Sequence, residues 1–458
     1  MKPWKIYLIL VVVLNGVQGF VYGQDSPQYP VILSSRWFHP VSPQDTLSTI
    51  QMVDLYHPDR IDWMYCTNAK QLDQLKSRHV PYSLAINPQV PDSLEYTAKG
   101  RVVDLNGKKL VAPWMQNWKQ KNANWGCVNA PEFKKVFFDQ SRKLIDLGAY
   151  GLFMDDARLN EHTMDWGGCY CDYCMKGFTK YLLANGADTL KNDFNYRNFL
   201  HKQGIGTITA RNLSIPLMKN FQSFQIESVL RFLKEWRVEM KQYAKRPLVF
   251  LTNNYAGQWS EIYKIFDIGV AELPENRLDR NYILSCTKEA EKLNKKQYFT
   301  LSSDDDSKQT KALFLAYSAN SALIIPWDVY VHSKSKKAVT RYFGKSDIFR
   351  EEYDIFRQND SLLQNFNAIK KIDDFSLNIN SAIKNDSISL YKYELTNSKV
   401  FIVKTGINLK THKIKITNSI DNNRMSINVF YPNCSSIIVK RGFAYVVFQD
   451  DTLIFSIK

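Results

Sequence analysis

Gly151-Leu152-Phe153-Met154-Asp155-Asp156-Ala157-Arg158-Leu159 is the stretch on which the reading of this chain turns. Four uncharged residues run straight into two carboxylates, and the amphipathic stretch Pro131–Leu147 lies just upstream. A short apolar run that follows a helical pattern and stops on polar side chains is how a strand of a helix-covered parallel sheet reads. Similar runs flank it at Pro30–Phe38, Ile61–Cys66, Tyr82–Ile86, Pro247–Thr252, Phe266–Glu272, Gln297–Leu301 and Ala322–Pro326, with a second clear helix at Gln225–Tyr243. Together with Gly151–Asp155 they make eight strand–helix units between about residues 30 and 335, which predicts an α/β fold of the (β/α)8 TIM-barrel type. A doubly wound open sheet fits less well, because no glycine-rich phosphate loop follows the first strand.

The ends of the chain read differently. Lys2 and Lys5 precede an apolar run, Ile6–Leu14, and Val21-Tyr22-Gly23 offers a cleavage site before Gln24. That is the layout of a signal peptide over residues 1–23, so a periplasmic or secreted protein is expected, with no stable membrane insertion after cleavage. The barrel is expected over 28–372, closing with a helical stretch at Ile348–Ile372. Beyond it, apolar and polar residues alternate in Ser387–Tyr393, Lys399–Lys404, Lys413–Thr417 and Met425–Tyr431, and Asp421-Asn422-Asn423 reads as a turn. Residues 375–458 are therefore expected to form a small all-β, sandwich-like C-terminal domain.

A net charge of +15 favours acidic partners through long-range attraction. The basic residues are scattered and no nucleic-acid-binding motif is present, so nucleic acid is excluded as a partner. A solvated basic surface and an acidic polysaccharide both fit.

In a (β/α)8 barrel, chemistry sits where the strands end. The fourth strand ends on Asp155 and Asp156, the fifth on Asn254 and Tyr255, the sixth on Glu272, and the eighth on Trp327 and Asp328. Successive residues of a strand point to opposite sides, so one of the two aspartates is expected to face the mouth and the other to be held by a neighbour such as Arg158. Both could instead serve structure, by capping the next helix or pairing with arginine. Carboxylates converging with Trp, Tyr and Asn suit glycoside hydrolysis, in which one carboxylic acid protonates the leaving oxygen and a carboxylate attacks carbon or activates water. Cys169, Cys171 and Cys174 stand in a C-x-C-x-x-C spacing, with Cys127 upstream. Four thiolates would make a closed structural zinc site, while disulfides or free thiols are the alternative in an oxidising compartment.

The cysteine spacing resembles that of glycoside hydrolase family 42, β-galactosidases built on a (β/α)8 barrel. Gln225–Arg237, Pro247–Tyr255, Phe266–Val270 and Ile324–Asp328 resemble that family's long helix and its fifth, sixth and eighth strands. The resemblance implies zinc on Cys127, Cys169, Cys171 and Cys174, and no organic cofactor. It departs at the catalytic pair: Asp155-Asp156 stand where the family has Asn-Glu, and Thr300-Leu301-Ser302-Ser303-Asp304 lacks its seventh-strand Glu. The expectation is therefore an exported glycoside hydrolase acting on an oligo- or polysaccharide, with Asp156, Glu272 and Asp155 as catalytic carboxylates. Asn254, Tyr255, Trp327 and Asp328 would contact the sugar. The alternative is an inactive barrel that binds glycan.

Overall fold

A computed structural model describes residues 30–35, 38–40, 47–89, 99–116, 123–186, 193–303, 305–332, 339–342, 353, 367–368 and, further on, Pro432 and the strands named below. Its first eight strands are β1 (Ile32–Ser35), β2 (Arg60–Met64), β3 (Tyr82–Ile86), β4 (Gly151–Met154), β5 (Val249–Asn253), β6 (Ile268–Glu272), β7 (Lys296–Thr300) and β8 (Ile325–His332). Each overlaps a run expected from the sequence. They pair in parallel and in chain order from β1 to β7, and β1 also pairs with β8, with Leu33 opposite Ile325. The remaining seam closes through Phe299, which pairs in parallel with Leu323 and accepts the Ile324 N–H at 2.7 Å. The result is a (β/α)8 barrel.

Helices cover the outside: α1 (Thr49–Tyr56), α2 (Ala69–Lys76), α3 (Pro131–Asp146), α4 (Leu159–Thr163), α5 (Asp172–Ala184), α6 (Tyr196–Lys202), α7 (Met218–Ala244), α8 (Arg280–Lys292) and α9 (Asp306–Ser318). Their starts are written locally. Ser48 and Gln51 make a reciprocal capping box on α1, Pro131 opens α3 with its preset φ, and Asp279 and Asp305 cap α8 and α9. Pro131–Leu147 is matched almost residue for residue, whereas α7 begins at Met218, seven residues before the expected Gln225, and ends at Ala244, one past the expected Tyr243. α3 packs on α7 through Phe137, Phe232 and Trp236, and the Trp236 indole donates to Ser141 Oγ at 2.9 Å.

The end of the barrel from which the strands start is locked by a buried ion pair. Arg60 Nε lies 2.7 Å from Asp62 Oδ2, Tyr150 donates to Asp62 Oδ1 at 2.5 Å, and the guanidinium sits 4.9 Å over the Tyr298 ring. That end is filled, and the opposite one carries the polar side chains.

β8 continues past Pro326 to His332 and pairs antiparallel with β9 (Val339–Tyr342). Trp327 and Asp328 thus lie within the strand and not at its end, and their side chains lie outside the described residues. Of the helical stretch expected over Ile348–Ile372, Tyr353 is helical, but Asn367–Ala368 forms strand β10; the rest lies outside the described residues.

Two antiparallel sheets follow. One runs in the order β10, β12 (Ser389–Glu394), β13 (Lys399–Lys404), β18 (Thr452–Ile457), β15 (Ile427–Tyr431). The other runs β11 (Phe375–Ile379), β14 (Thr411–Asn418), β17 (Phe443–Gln449), β16 (Ser436–Lys440). These are the expected C-terminal β elements; the turn at Asp421-Asn422-Asn423 and the signal segment 1–23 lie outside the described residues. α9 meets this region directly: the Phe314 ring lies 4.8 Å from that of Phe430, tilted by 36°, and Lys311 lies 4.9 Å over the Tyr431 ring. Among the described residues, no helix is long and apolar enough to cross a membrane.

Candidate functional site

β4 stops at Met154, but the Asp155 N–H still donates to Ile86 O at 2.9 Å, the last rung of its ladder. The next residue turns the chain: Asp156 has a φ of 55°, a left-handed conformation that aspartate tolerates better than most side chains. Because of that turn the two carboxylates diverge without the strict opposition of a strand, and both are half-buried.

Asp155 is gripped from β2, two strands away in the sheet, and from the adjacent β5. Its Oδ2 accepts from the Tyr65 hydroxyl at 2.8 Å and the Trp63 indole at 3.3 Å, both beyond the middle of β2. Its Oδ1 accepts from the Asp156 N–H at 3.1 Å and from Asn253 Nδ2 at 3.4 Å, at the end of β5. Burial raises the Tyr65 phenol well above its ordinary value, and the Asp155 charge adds to this, so Tyr65 stays a donor. Four donors on one carboxylate favour its charged form.

Asp156 faces a different partner. Tyr255 Oη lies 2.8 Å from Asp156 Oδ1 and 3.0 Å from His162 Nδ1. Burial pushes the Tyr255 phenol up, and the Asp156 charge pushes the same way. Burial, helped by Arg158, lowers His162 to about 4, so its ring is neutral near pH 7. The Tyr255 hydroxyl donates to Asp156 and can accept from the neutral imidazole, so neither is left a bare polar atom.

Arg158 was expected to hold one of the aspartates, and it does not. Its guanidinium binds Glu161 at 2.5 and 3.0 Å and Asp165 at 3.1 Å, and Arg211 reaches the same two carboxylates at 2.8 and 3.0 Å. Glu161 is buried; desolvation pushes it up, but the two guanidinium groups outweigh that and hold it below the ordinary carboxylate range.

The remaining expected residues separate. Glu272 ends β6 exposed, and its N–H donates to Tyr255 O at 2.7 Å, tying that strand end to the residue beside Asp156. Asn254 is a correction. It is fully buried and exchanges hydrogen bonds with Gln297 at 2.8 and 3.1 Å, so it braces the β5–β7 wall. Gly269 leaves the room it needs, since a Cβ there would lie 2.5 Å from Asn254 Nδ2. The amide that reaches a carboxylate is Asn253. Trp63, Tyr65 and His162 were missed by sequence reasoning, and Asn253 was read with Asn254 as an amide suited to sugar hydroxyls, not as a carboxylate partner. Tyr65 had a signal, as a phenol just past a strand; Asn253 and Asn254 could not be told apart without the strand's final twist.

Beside this mouth sits the cysteine cluster. The sulfurs of Cys127, Cys169, Cys171 and Cys174 all lie within 4.8 Å of one another, and Cys127 Sγ is 3.5 Å from both Cys171 Sγ and Cys174 Sγ. None of the four is in a disulfide. Bonds of about 2.3 Å from one tetrahedral ion would space sulfurs by about 3.8 Å, whereas a disulfide would bring two to about 2 Å. Amides point at the sulfurs: Asn160 Nδ2 lies 3.3 Å from Cys127 Sγ and Asn129 Nδ2 3.3 Å from Cys174 Sγ. Burial raises the Cys169 and Cys174 thiols, while hydrogen bonds from Cys127 and the neighbouring thiols lower that of Cys171. The donor set fits a metal ion. Gly167 shapes the approach, with φ of 94° and a Cβ position 2.1 Å from Ile208 O, which only glycine fills.

A scan against protein-family models and a search of curated proteins both found no match. Solved structures of similar fold include glycoside hydrolases. An α-amylase of Anoxybacillus matches at 9% identity and a TM-score of 0.47, over 95% of this chain and 99% of that one. The acarbose-complexed α-amylase of Geobacillus thermoleovorans matches at 9% and 0.44, over 95% and 99%. The family 30 subfamily 8 xylanase Xyn30A of Clostridium acetobutylicum matches at 10% and 0.40, over 94% and 95%. Likenesses this distant carry no argument about reaction or substrate.

Proposed function

We propose that this protein is an exported glycoside hydrolase that cleaves an oligo- or polysaccharide at the mouth of its barrel. One observation carries the reading: two adjacent carboxylates at the end of β4, both half-buried, are each held by aromatic donors at hydrogen-bond distance. Asp155, with its four donors, is the fixed negative charge that steadies the oxocarbenium-like transition state. Asp156 attacks the anomeric carbon, its oxygen presented by Tyr255. Glu272, exposed at the end of β6, protonates the leaving oxygen as the glycosidic bond breaks, then takes a proton from the water that frees the sugar from Asp156. Tyr255 joins these two, through its hydroxyl to Asp156 and its carbonyl to the Glu272 N–H.

On this reading the cysteine cluster holds zinc. Cys127, Cys169, Cys171 and Cys174 are its ligands, and with all four positions taken by thiolate the ion braces the loop after β4 and does no chemistry. No organic cofactor is needed. Export rests on the signal-like segment 1–23, and the positive charge of the chain makes an acidic polysaccharide a fitting substrate.

The test is sugar release by the mature protein from plant, algal and host glycans, beside Asp156→Asn and Glu272→Gln. Loss in Asp156→Asn on every substrate, with Glu272→Gln still cleaving nitrophenyl glycosides whose leaving group needs no proton, supports the assignment. Silence of the folded parent on every glycan, with binding retained, moves the protein to the glycan-binding alternative. The departure at Thr300–Asp304 favours that second reading.

A further inference from the structure

Trp114 lies in a short 3-10 turn at Pro113–Met115, on the excursion between β3 and α3, and is 45% exposed. Leaving part of an indole in water forfeits burial, so its surroundings matter. One face is occupied: the ring stacks on His162 at 5.1 Å and 27°. Two edges are propped by Trp125 at 5.8 Å and Trp166 at 6.2 Å, both near perpendicular. Trp125 is itself fully buried and anchored by its indole to Leu159 O at 3.3 Å. The ring is therefore held rigidly, with its second face left to account for the exposure.

The other exposed aromatics are explained differently. Tyr173 donates to Glu132, and Tyr243 donates to Asp146 under the Arg142 guanidinium. Those rings support surface charge pairs. Trp114 instead continues a line of contacts from the mouth: Asp156 to Tyr255 at 2.8 Å, Tyr255 to His162 at 3.0 Å, and His162 to Trp114 by stacking.

We propose that the exposed face of Trp114 is a binding platform for a pyranose ring of the glycan bound at the carboxylate mouth. An indole face is electron-rich, and the axial C–H groups of a pyranose present a weakly positive, apolar face of matching size. A neutral His162 behind the ring leaves that face electron-rich; a protonated one would draw density from it. His162 is kept neutral by burial and by the Arg158 guanidinium, while Asp156, Glu161 and Asp165 face it with the opposite sign. That the platform serves a substrate rests on the hydrolase reading; that it binds sugar does not.

The test titrates the full mature chain with cellohexaose, xylohexaose and maltohexaose, by calorimetry and by quenching of tryptophan fluorescence. The parent should bind at least one of the three, Trp114→Ala about tenfold more weakly and Trp114→Phe in between, with unchanged circular dichroism. In turnover, Trp114→Ala should raise KM by a similar factor with little change in kcat. Equal binding by parent and Trp114→Ala overturns the platform, as does failure of the parent to bind any of the three. The two ideas fail separately. If Asp156→Asn leaves sugar release untouched while Trp114→Ala weakens binding, the carboxylate assignment is lost and the platform stands. The opposite pattern removes the platform and keeps the hydrolase.

Discussion

The carboxylate mouth and the cysteine cluster are neighbours above the same strand, yet they are built on opposite terms. The four sulfurs lie within 4.8 Å of one another on residues of which three are buried, and side-chain amides approach them. Asp155 and Asp156 are each partly exposed, and donors reach them from β2, from the turn itself and from β5 and the turn after it. A closed set of ligands spends its binding energy on holding the chain. An open set leaves charge facing the space where a substrate would sit. The contrast teaches where to expect loss of rate and where loss of structure.

The sharpest break would come from the aspartates. Asp156→Asn should lower kcat by about a thousandfold or more, the scale of a lost catalytic carboxylate, with melting temperature within a few degrees of the parent. Asp155→Asn should cost nearly as much, because an amide carries no charge for Trp63, Tyr65 and Asn253 to hold. A variant that loses rate only in proportion to folded fraction would place these aspartates with the structural set.

For the cysteines the expected signature is reversed. Cys174→Ser, or a strong chelator under reducing conditions, should release about one equivalent of zinc and lower the melting temperature markedly, since metal-binding energy is folding energy. Whatever protein remains folded should keep its kcat. Activity abolished by chelation with the thermal transition unmoved would sink the closed-shell assignment.

These two regions were unequally legible in the sequence. The barrel was readable because each strand is a short apolar run between long helical patterns, and the cluster because C-x-C-x-x-C has few meanings. The mouth was harder. Asp155-Asp156 announced itself, but its grip depends on Trp63, Tyr65 and Asn253, which lie on strands far away in sequence. Asn254 looked as suitable as Asn253, and Arg158 stood beside the aspartates yet turned to Glu161 and Asp165. Such choices are set by side-chain direction after a left-handed residue, which local pattern does not encode.

Between the two regions lies the Glu161 network, and it should behave as structure. Glu161→Gln leaves Arg158 and Arg211 with Asp165 as their carboxylate partner, at a cost of about 1–3 kcal/mol. Because the folded carboxyl is held below its ordinary 4.5, its contribution is full above that value and fades as pH falls through the lower, folded one. The melting-temperature gap between parent and variant should therefore be widest near neutrality and narrow on acidification. A gap that widens in acid would reverse the sign and the assignment.

The smallest effect should come from the residue that touches both halves of the proposed chemistry. Tyr255→Phe removes the hydroxyl between Asp156 and His162 while keeping the ring and the carbonyl that accepts from Glu272. One charge-assisted hydrogen bond of this kind is worth about 1.5 kcal/mol or somewhat more, so kcat/KM should fall by about tenfold. The direction on pH follows from the same bond: it favours ionised Asp156, so losing it raises that carboxyl, and the acidic limb of the kcat/KM profile should move to higher pH. If the limb stays in place while the rate falls, Tyr255 orients Asp156 without tuning it; if neither moves, Asp156 does not depend on Tyr255, and the line of contacts from Trp114 through His162 ends before the carboxylate.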